Sequence, residues 1–130
     1  MSLKFKAVKS YKRGDNNEKQ PFWFPQLTGS SKLGMDDVVE IFEKHTTASG
    51  GDVHLIAWGL SDLIPEQLLA GHTVRIDGLG TFRLYLKSEP ADSPEEVTAD
   101  NIKEVRLGFI PDTRIKRKLE KATFVKVEEQ

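Results

Sequence analysis

An α+β domain is predicted on three observations. Short segments alternate apolar and polar residues with the period of strands. Two stretches carry the i, i+3, i+4 spacing of amphipathic helices. The strand signals stand on both sides of the helical ones, in the order strand, strand, helix, helix, strand, strand, polar insert, strand, helix, strand.

Leu3 to Ala7 (LKFKA) alternates apolar and basic residues, the pattern of a half-buried strand. Gly14 to Gln20 (GDNNEKQ) is a polar loop of turn formers, and Phe22-Trp23-Phe24 between Pro21 and Pro25 reads as a short extended segment. Together they predict an N-terminal hairpin. Met35, Val38, Val39 and Phe42 mark a helix with Asp36 and Asp37 in its first turn, where carboxylates suit the macrodipole. Ala48 to Gly51 breaks it. A second stripe follows at Val53, Ile56, Ala57, Leu60, Leu63, Ile64 and Leu68, with Ser49 or Asp52 as the cap and Gly71 as the stop. Pro65 falls inside this stripe and predicts a kink or break near Leu63.

Thr73 to Asp77 and Thr81 to Lys87 alternate as strands around the bend Gly78-Leu79-Gly80. Ser88 to Glu104 is polar and acidic, and Ser93-Pro94-Glu95-Glu96 has the form of a capping box opening a short helix. Val105 to Phe109 resumes strand character. Pro111 then opens a helical segment, Asp112 to Lys121, and Thr123 to Glu128 reads as a last strand. No internal repeat or low-complexity tract is present.

The chain has 130 residues, a length that suits one compact domain with a terminal extension. With 38% hydrophobic and 30% charged residues it reads as globular and soluble, and no apolar run reaches the ~18 residues of a membrane span. The N-terminus lacks the apolar stretch of an export signal. The absence of cysteine excludes disulfides, thiol catalysis and thiolate metal sites, and fits the cytosol. His45, His54 and His72 have no ligand spacing, so no metal site is expected. No nucleophile–base arrangement is legible, and neither an enzyme, a cofactor nor a small-molecule substrate is expected. Gly78-Leu79-Gly80 is not a phosphate loop, since no Lys-Ser/Thr follows and no helix starts there. It reads as a bend in which side chains would obstruct.

A net charge of −1 at first argues against a nucleic-acid partner, but the average hides blocks. Residues 1–34 sum to +5, 35–72 to −6, 73–89 to +1, 90–104 to −4 and 105–126 to +5. Exposed charges act within roughly one Debye length, ~8–10 Å, so such segregation permits a basic face on a neutral molecule. The alternative is that the blocks interleave in space and cancel. Phe42 and Trp58 read as core or dimer interface. Phe22, Trp23 and Phe24 read as packing of the added hairpin, ahead of base stacking.

Gly71 to Phe82 (GHTVRIDGLGTF) resembles the bacterial histone-like HU/IHF family, whose motif there is a glycine ending a helix, a short strand, then Gly-aromatic-Gly-Thr-Phe. Gly78, Gly80, Thr81 and Phe82 match, and Leu79 replaces the aromatic. Two helices precede the motif, and Phe109-Ile110-Pro111 opens a last helix as the family's Phe-x-Pro does. The resemblance runs from Leu33 to Lys121 and divides the chain into a strand or hairpin extension (1–32), an HU-like domain (33–121, with 88–104 in place of the family's arm) and a C-terminal strand and tail (122–130). The added terminal strands look like those of the HU-related subgroup of Bacteroidetes-type bacteria.

The resemblance implies an HU/IHF-like fold: a helical-hairpin base, a three-stranded antiparallel saddle and a C-terminal helix. It also implies a homodimer in the bacterial nucleoid that binds and condenses double-stranded DNA. HU and IHF are architectural minor-groove binders. Carried over by position, Lys87 falls at the root of the arm and Lys116 on a lysine of the last helix. Arg75, Arg83 and Arg106 fall on saddle strands, and Arg114, Arg117, Lys118 and Lys121 add a basic helix. The sequence departs from the family at Thr113 and Ile110, where basic residues are frequent, and above all in the arm. Residues 88–104 hold six carboxylates and one lysine, with no Arg-Asn-Pro tip. A proline wedge costs a few kcal/mol of unstacking, which basic contacts must offset; this segment is therefore expected not to intercalate. The rival reading is an HU-fold protein-interaction dimer with weak or no DNA binding.

Overall fold

The computed structural model describes residues 2–14 and 17–128. Asp15 and Asn16 of the predicted Gly14–Gln20 loop, and the last two residues of the tail, lie outside them. The chain forms two compact units, residues 1–34 with 118–130, and residues 35–117.

The first unit is built from both ends of the sequence. Strand β1 (Ser2–Arg13) and strand β2 (Lys19–Thr28) form an antiparallel ribbon, with Lys4 opposite Thr28 and Arg13 opposite Lys19. Both strands run well beyond the segments predicted for them. Strand β6 (Thr123–Lys126) pairs parallel to β1, giving the order β2-β1-β6. Pro21 and Pro25 remain inside β2 because it is an edge strand, where a missing N–H leaves no neighbour unpaired.

In the second unit, helix α1 (Met35–His45) is followed by helix α2 (Gly50–Leu69). The start of α2 is a reciprocal capping box: Ser49 Oγ accepts the Asp52 N–H, and an Asp52 carboxylate oxygen accepts the Ser49 N–H, both at 3.1 Å. Its end is a Schellman turn. The His72 N–H reaches the Gln67 carbonyl, the Gly71 N–H reaches that of Leu68, and Gly71 takes the φ of +95° that the turn requires. Of the kink or break expected near Leu63, the break does not occur; α2 runs through Pro65. Within α2, Leu68 is 6% exposed, the one buried hydrophobic side chain among the described residues.

Strand β3 (Val74–Ile76), strand β4 (Gly80–Ser88) and strand β5 (Ile102–Pro111) form an antiparallel sheet in that order. Helix α3 (Thr113–Leu119) follows. Two expectations are corrected here. Pro111 ends β5 opposite Gly80 rather than opening the helix, and α3 stops at Leu119, short of Lys121. No described helix is long and apolar enough to cross a membrane.

Candidate nucleic-acid interface

Side chains on neighbouring paired residues point to the same side of a sheet, and the side alternates along each strand. The register of β3-β4-β5 therefore sorts the sheet into two faces. Val74, Ile76, Phe82, Leu84, Leu86, Val105, Leu107 and Phe109 share one. Phe82 and Phe109 pack there with ring centroids 4.9 Å apart, and Leu84 and Leu107 border a hollow with Ile64, Pro65 and Leu68 of α2.

The opposite face gathers Arg75, Arg83, Lys87 and Arg106, together with Thr81, Tyr85, Ile110 and one carboxylate, Glu104, across from Lys87. All four cations expected on the sheet strands lie on this side, and all are exposed. Two are tethered. Arg106 Nε donates to Glu104 at 2.9 Å, and Arg75 lies 3.4 Å from Asp77 and 3.9 Å from Asp112. Exposed pairs of this kind contribute ~0–1 kcal/mol, so both guanidiniums can exchange a carboxylate for a phosphate at small cost.

Arg75 and Lys116 meet around a polar hollow of about 260 Å³, bordered also by Thr81, Ile110, Asp112 and Thr113. This joins the sheet to the last helix. The other helix residues are spread: Arg114 runs beside Gly78, where an added Cβ would lie 3.7 Å from its Cδ, and Arg117 is exposed on α3. Lys118 lies in the last turn of α3 and Lys121 beyond its end, both in the terminal unit. The basic helix expected to reach Lys121 thus ends before it.

Asp112, which sequence reasoning placed as an ordinary first helical residue, organises this corner. One carboxylate oxygen accepts the Gly78 N–H and the other the Thr113 N–H, each at 2.6 Å. Its own N–H donates to the Leu79 carbonyl, and its carbonyl accepts from Ile115 and Lys116. It caps α3 and fastens the Gly78-Leu79-Gly80 bend to it. The available signal was an Asp directly before a helix, a preferred N-cap. The bond from Gly78, then that from Thr113, hold its carboxyl below the ordinary carboxylate range; burial opposes them, and the Arg75 charge adds the smallest lowering effect.

A lowered carboxyl pKa means stability that is complete above the unfolded value of about 3.9 and is lost as pH falls through the folded one. Asp112→Asn is accordingly expected to melt lower than the native protein at neutral pH. The gap should close on acidification toward pH ~2, below the ordinary carboxylate pKa. Thermal melts followed by circular dichroism across pH read this out, and a gap independent of pH would exclude the charge as its cause.

The acidic segment expected to stand in place of an arm is a closed loop. The β4–β5 ladder ends at Ser88 opposite Ile102, with an irregularity after Lys87. Its neck is tied by the Glu89 N–H to the Asn101 carbonyl at 2.7 Å, by Asn101 Nδ2 to the Glu89 carbonyl, and by Lys103 to Glu89 at 2.9 Å. The box expected at Ser93 is absent; Pro94–Glu96 is a single 3-10 turn without a side-chain cap. A reciprocal cap forms instead between Thr98 and Asn101, around the turn Ala99–Asn101.

No curated protein matches the sequence. A solved structure of a candidate bacterial DNA-binding protein from Bacteroides vulgatus shares the fold, with a TM-score of 0.68 over 99% of this chain at 14% identity. The chain spans 50% of that protein's length. The family profile described as an HU domain fused to wHTH, Ig, or glycine-rich motif matches residues 1–126, so it takes in the terminal sheet as well as the helical hairpin, the glycine bend and the basic sheet. Through that match across both units, the chain belongs to the HU-HIG family, the HU domains fused to other modules.

Proposed function

We propose that the protein is an architectural, sequence-tolerant DNA-binding protein that acts as a homodimer in the bacterial nucleoid. Phosphates are met by the basic face of β3-β4-β5 and by the start of α3. The HU family and the DNA-binding neighbour point to DNA, and one observation carries the assignment: Arg75, Arg83, Lys87 and Arg106 share the sheet face opposite the apolar one. Four aligned cations on one face form an electrostatic footprint that an even scatter of surface charge would not give. Preference among sequences would then come from how easily the duplex deforms rather than from base edges. The acidic loop, closed at its neck, stays out of the groove, and no catalytic role is assigned.

The dimer is supported by what α2 leaves uncovered. Its sequence carries apolar residues beyond the predicted stripe, among them Leu55, Trp58 and Leu69, and apolar side chains are ordinarily buried. Yet Leu55 is 72% and Trp58 69% exposed, and Ile56, Leu63 and Leu69 are open as well. A second copy, laid helix to helix, would cover them. Sedimentation at micromolar concentration is expected to give a dimer; a stable monomer there contradicts this part of the reading.

DNA binding is tested by titrating a labelled duplex at ~50 and ~200 mM salt, where phosphate-based affinity falls by orders of magnitude. Binding at the lower salt that weakens at the higher is the expected result. No binding at the lower salt would favour the rival, an interaction module that keeps the fold without DNA.

A further inference from the structure

We propose that the outer half of the β1–β2 ribbon is a second nucleic-acid surface, separate from the basic sheet, which takes a single strand with unpaired bases. Trp23 and Tyr11 would stack on bases, and Lys9, Arg13 and Lys19 would meet phosphates. The register sets these five side chains, with Pro21, on one face: Lys9 lies opposite Trp23, Tyr11 opposite Pro21, and Arg13 opposite Lys19.

Three features of that face point to a polyanion with accessible aromatic surfaces. Arg13 and Lys19 are like charges directly across the ladder, an arrangement that destabilises a hairpin unless an anion joins it. The three strands of this sheet contain no Asp or Glu, so the cations have no carboxylate within their own sheet. Trp23 is 64% exposed, and the Lys9 ammonium stands 5.3 Å from the Tyr11 ring centroid and 5.9 Å from that of Trp23. At these distances, within the ~6 Å reach of a cation–π contact, Lys9 holds a positive charge between two aromatic platforms.

A basic track interleaved with aromatic rings is the arrangement that binds single strands without regard to sequence. In a duplex the base faces are stacked on one another and offer nothing to Trp23; in a single strand they are open. A second copy of this chain is the poorer occupant, because two identical faces would bring Lys9, Arg13 and Lys19 against their own likenesses.

The test uses the full chain and a labelled oligothymidylate of about 16 nucleotides, the upper site size of a small single-strand-binding domain, followed by fluorescence anisotropy at ~50 mM salt. Trp23→Ala is expected to weaken binding roughly tenfold, the effect of losing one stacked base. The double charge reversal Arg13→Glu with Lys19→Glu, at exposed positions, should weaken it further and flatten its salt dependence. Arg83→Ala with Lys87→Ala should weaken it less than either ribbon variant does, since those cations meet phosphates but offer no aromatic platform to open bases. Failure of the native chain to bind oligothymidylate overturns the proposal, whatever the duplex does. So does native affinity in either ribbon variant, and so does displacement of the strand by polyglutamate at equal charge, which would name an acidic protein as the occupant. Oligothymidylate binding that persists where duplex binding is absent would uphold this surface while the duplex-binding reading falls.

Discussion

Removing three cations from the sheet, as Arg75→Ala, Arg83→Ala and Lys87→Ala together, is expected to weaken duplex binding roughly a hundredfold at ~50 mM salt. Each charge-assisted contact to phosphate contributes on the order of 1 kcal/mol or more, and a factor of ten needs about 1.4 kcal/mol. The dependence of affinity on salt should become shallower by about three in log–log slope, one per lost phosphate contact. All three side chains are exposed, so the fold should persist, and circular dichroism would verify it. An unchanged slope would remove the sheet face from the interface. The complementary variant, with Arg114, Lys116, Arg117 and Lys118 all changed to Ala, apportions the remainder to the helix.

Gly80→Ala is expected to lower stability by about 3 kcal/mol or more, through strain and overpacking together. An alanine Cβ there would lie 2.5 Å from the Ile110 carbonyl oxygen and 2.6 Å from the Phe109 ring, and φ at this residue is +157°. The backbone of β5 and the Phe82–Phe109 stack would both have to move. A fall of roughly 10 °C or more in melting temperature corresponds to that loss. Gly108→Ala is the control. Its Cβ would meet Tyr85 at 3.4 Å and Arg83 at 3.6 Å, ordinary contact, and its melting point should stay close to the native one. Equal melting of the two variants would show that Gly80 carries no special constraint.

What could be read in advance divides by the range of the interaction that decides it. The spacing of Met35, Val38, Val39 and Phe42, and the alternation from Thr81 to Lys87, are local, and α1 and β4 follow them. The bend at Gly78 and Gly80 was legible because only glycine tolerates such φ values cheaply. The sheet cations Arg75, Arg83, Lys87 and Arg106 were legible too, but their shared face needed the cross-strand register. Asp112 was missed because half of its work, the bond to Gly78, joins residues far apart in sequence. Pro65 marked a break that does not form, since α2 runs through it. In the loop, the short helical turn expected after Ser93 forms with Pro94 at its start, but without the side-chain cap, which only the geometry at Thr98 and Asn101 supplies.

The pairing of β1 with β6 sets a schedule for the newborn chain. Ser2 and Thr123 face each other, hydroxyl to hydroxyl at 2.8 Å, across 121 positions of sequence. At a synthesis rate of about 5–20 residues per second, the first strand waits on the order of ten seconds for its partner to emerge. During that interval one long edge of β1 is open to any neighbouring strand. Lys4, Lys6, Lys9 and Lys12 recur along it, and repeated charge on an unpaired edge is a known deterrent to wrong pairing. These lysines, of which only Lys9 shares the face of Trp23 and Arg13, would therefore also guard the sheet against mispairing during its own assembly.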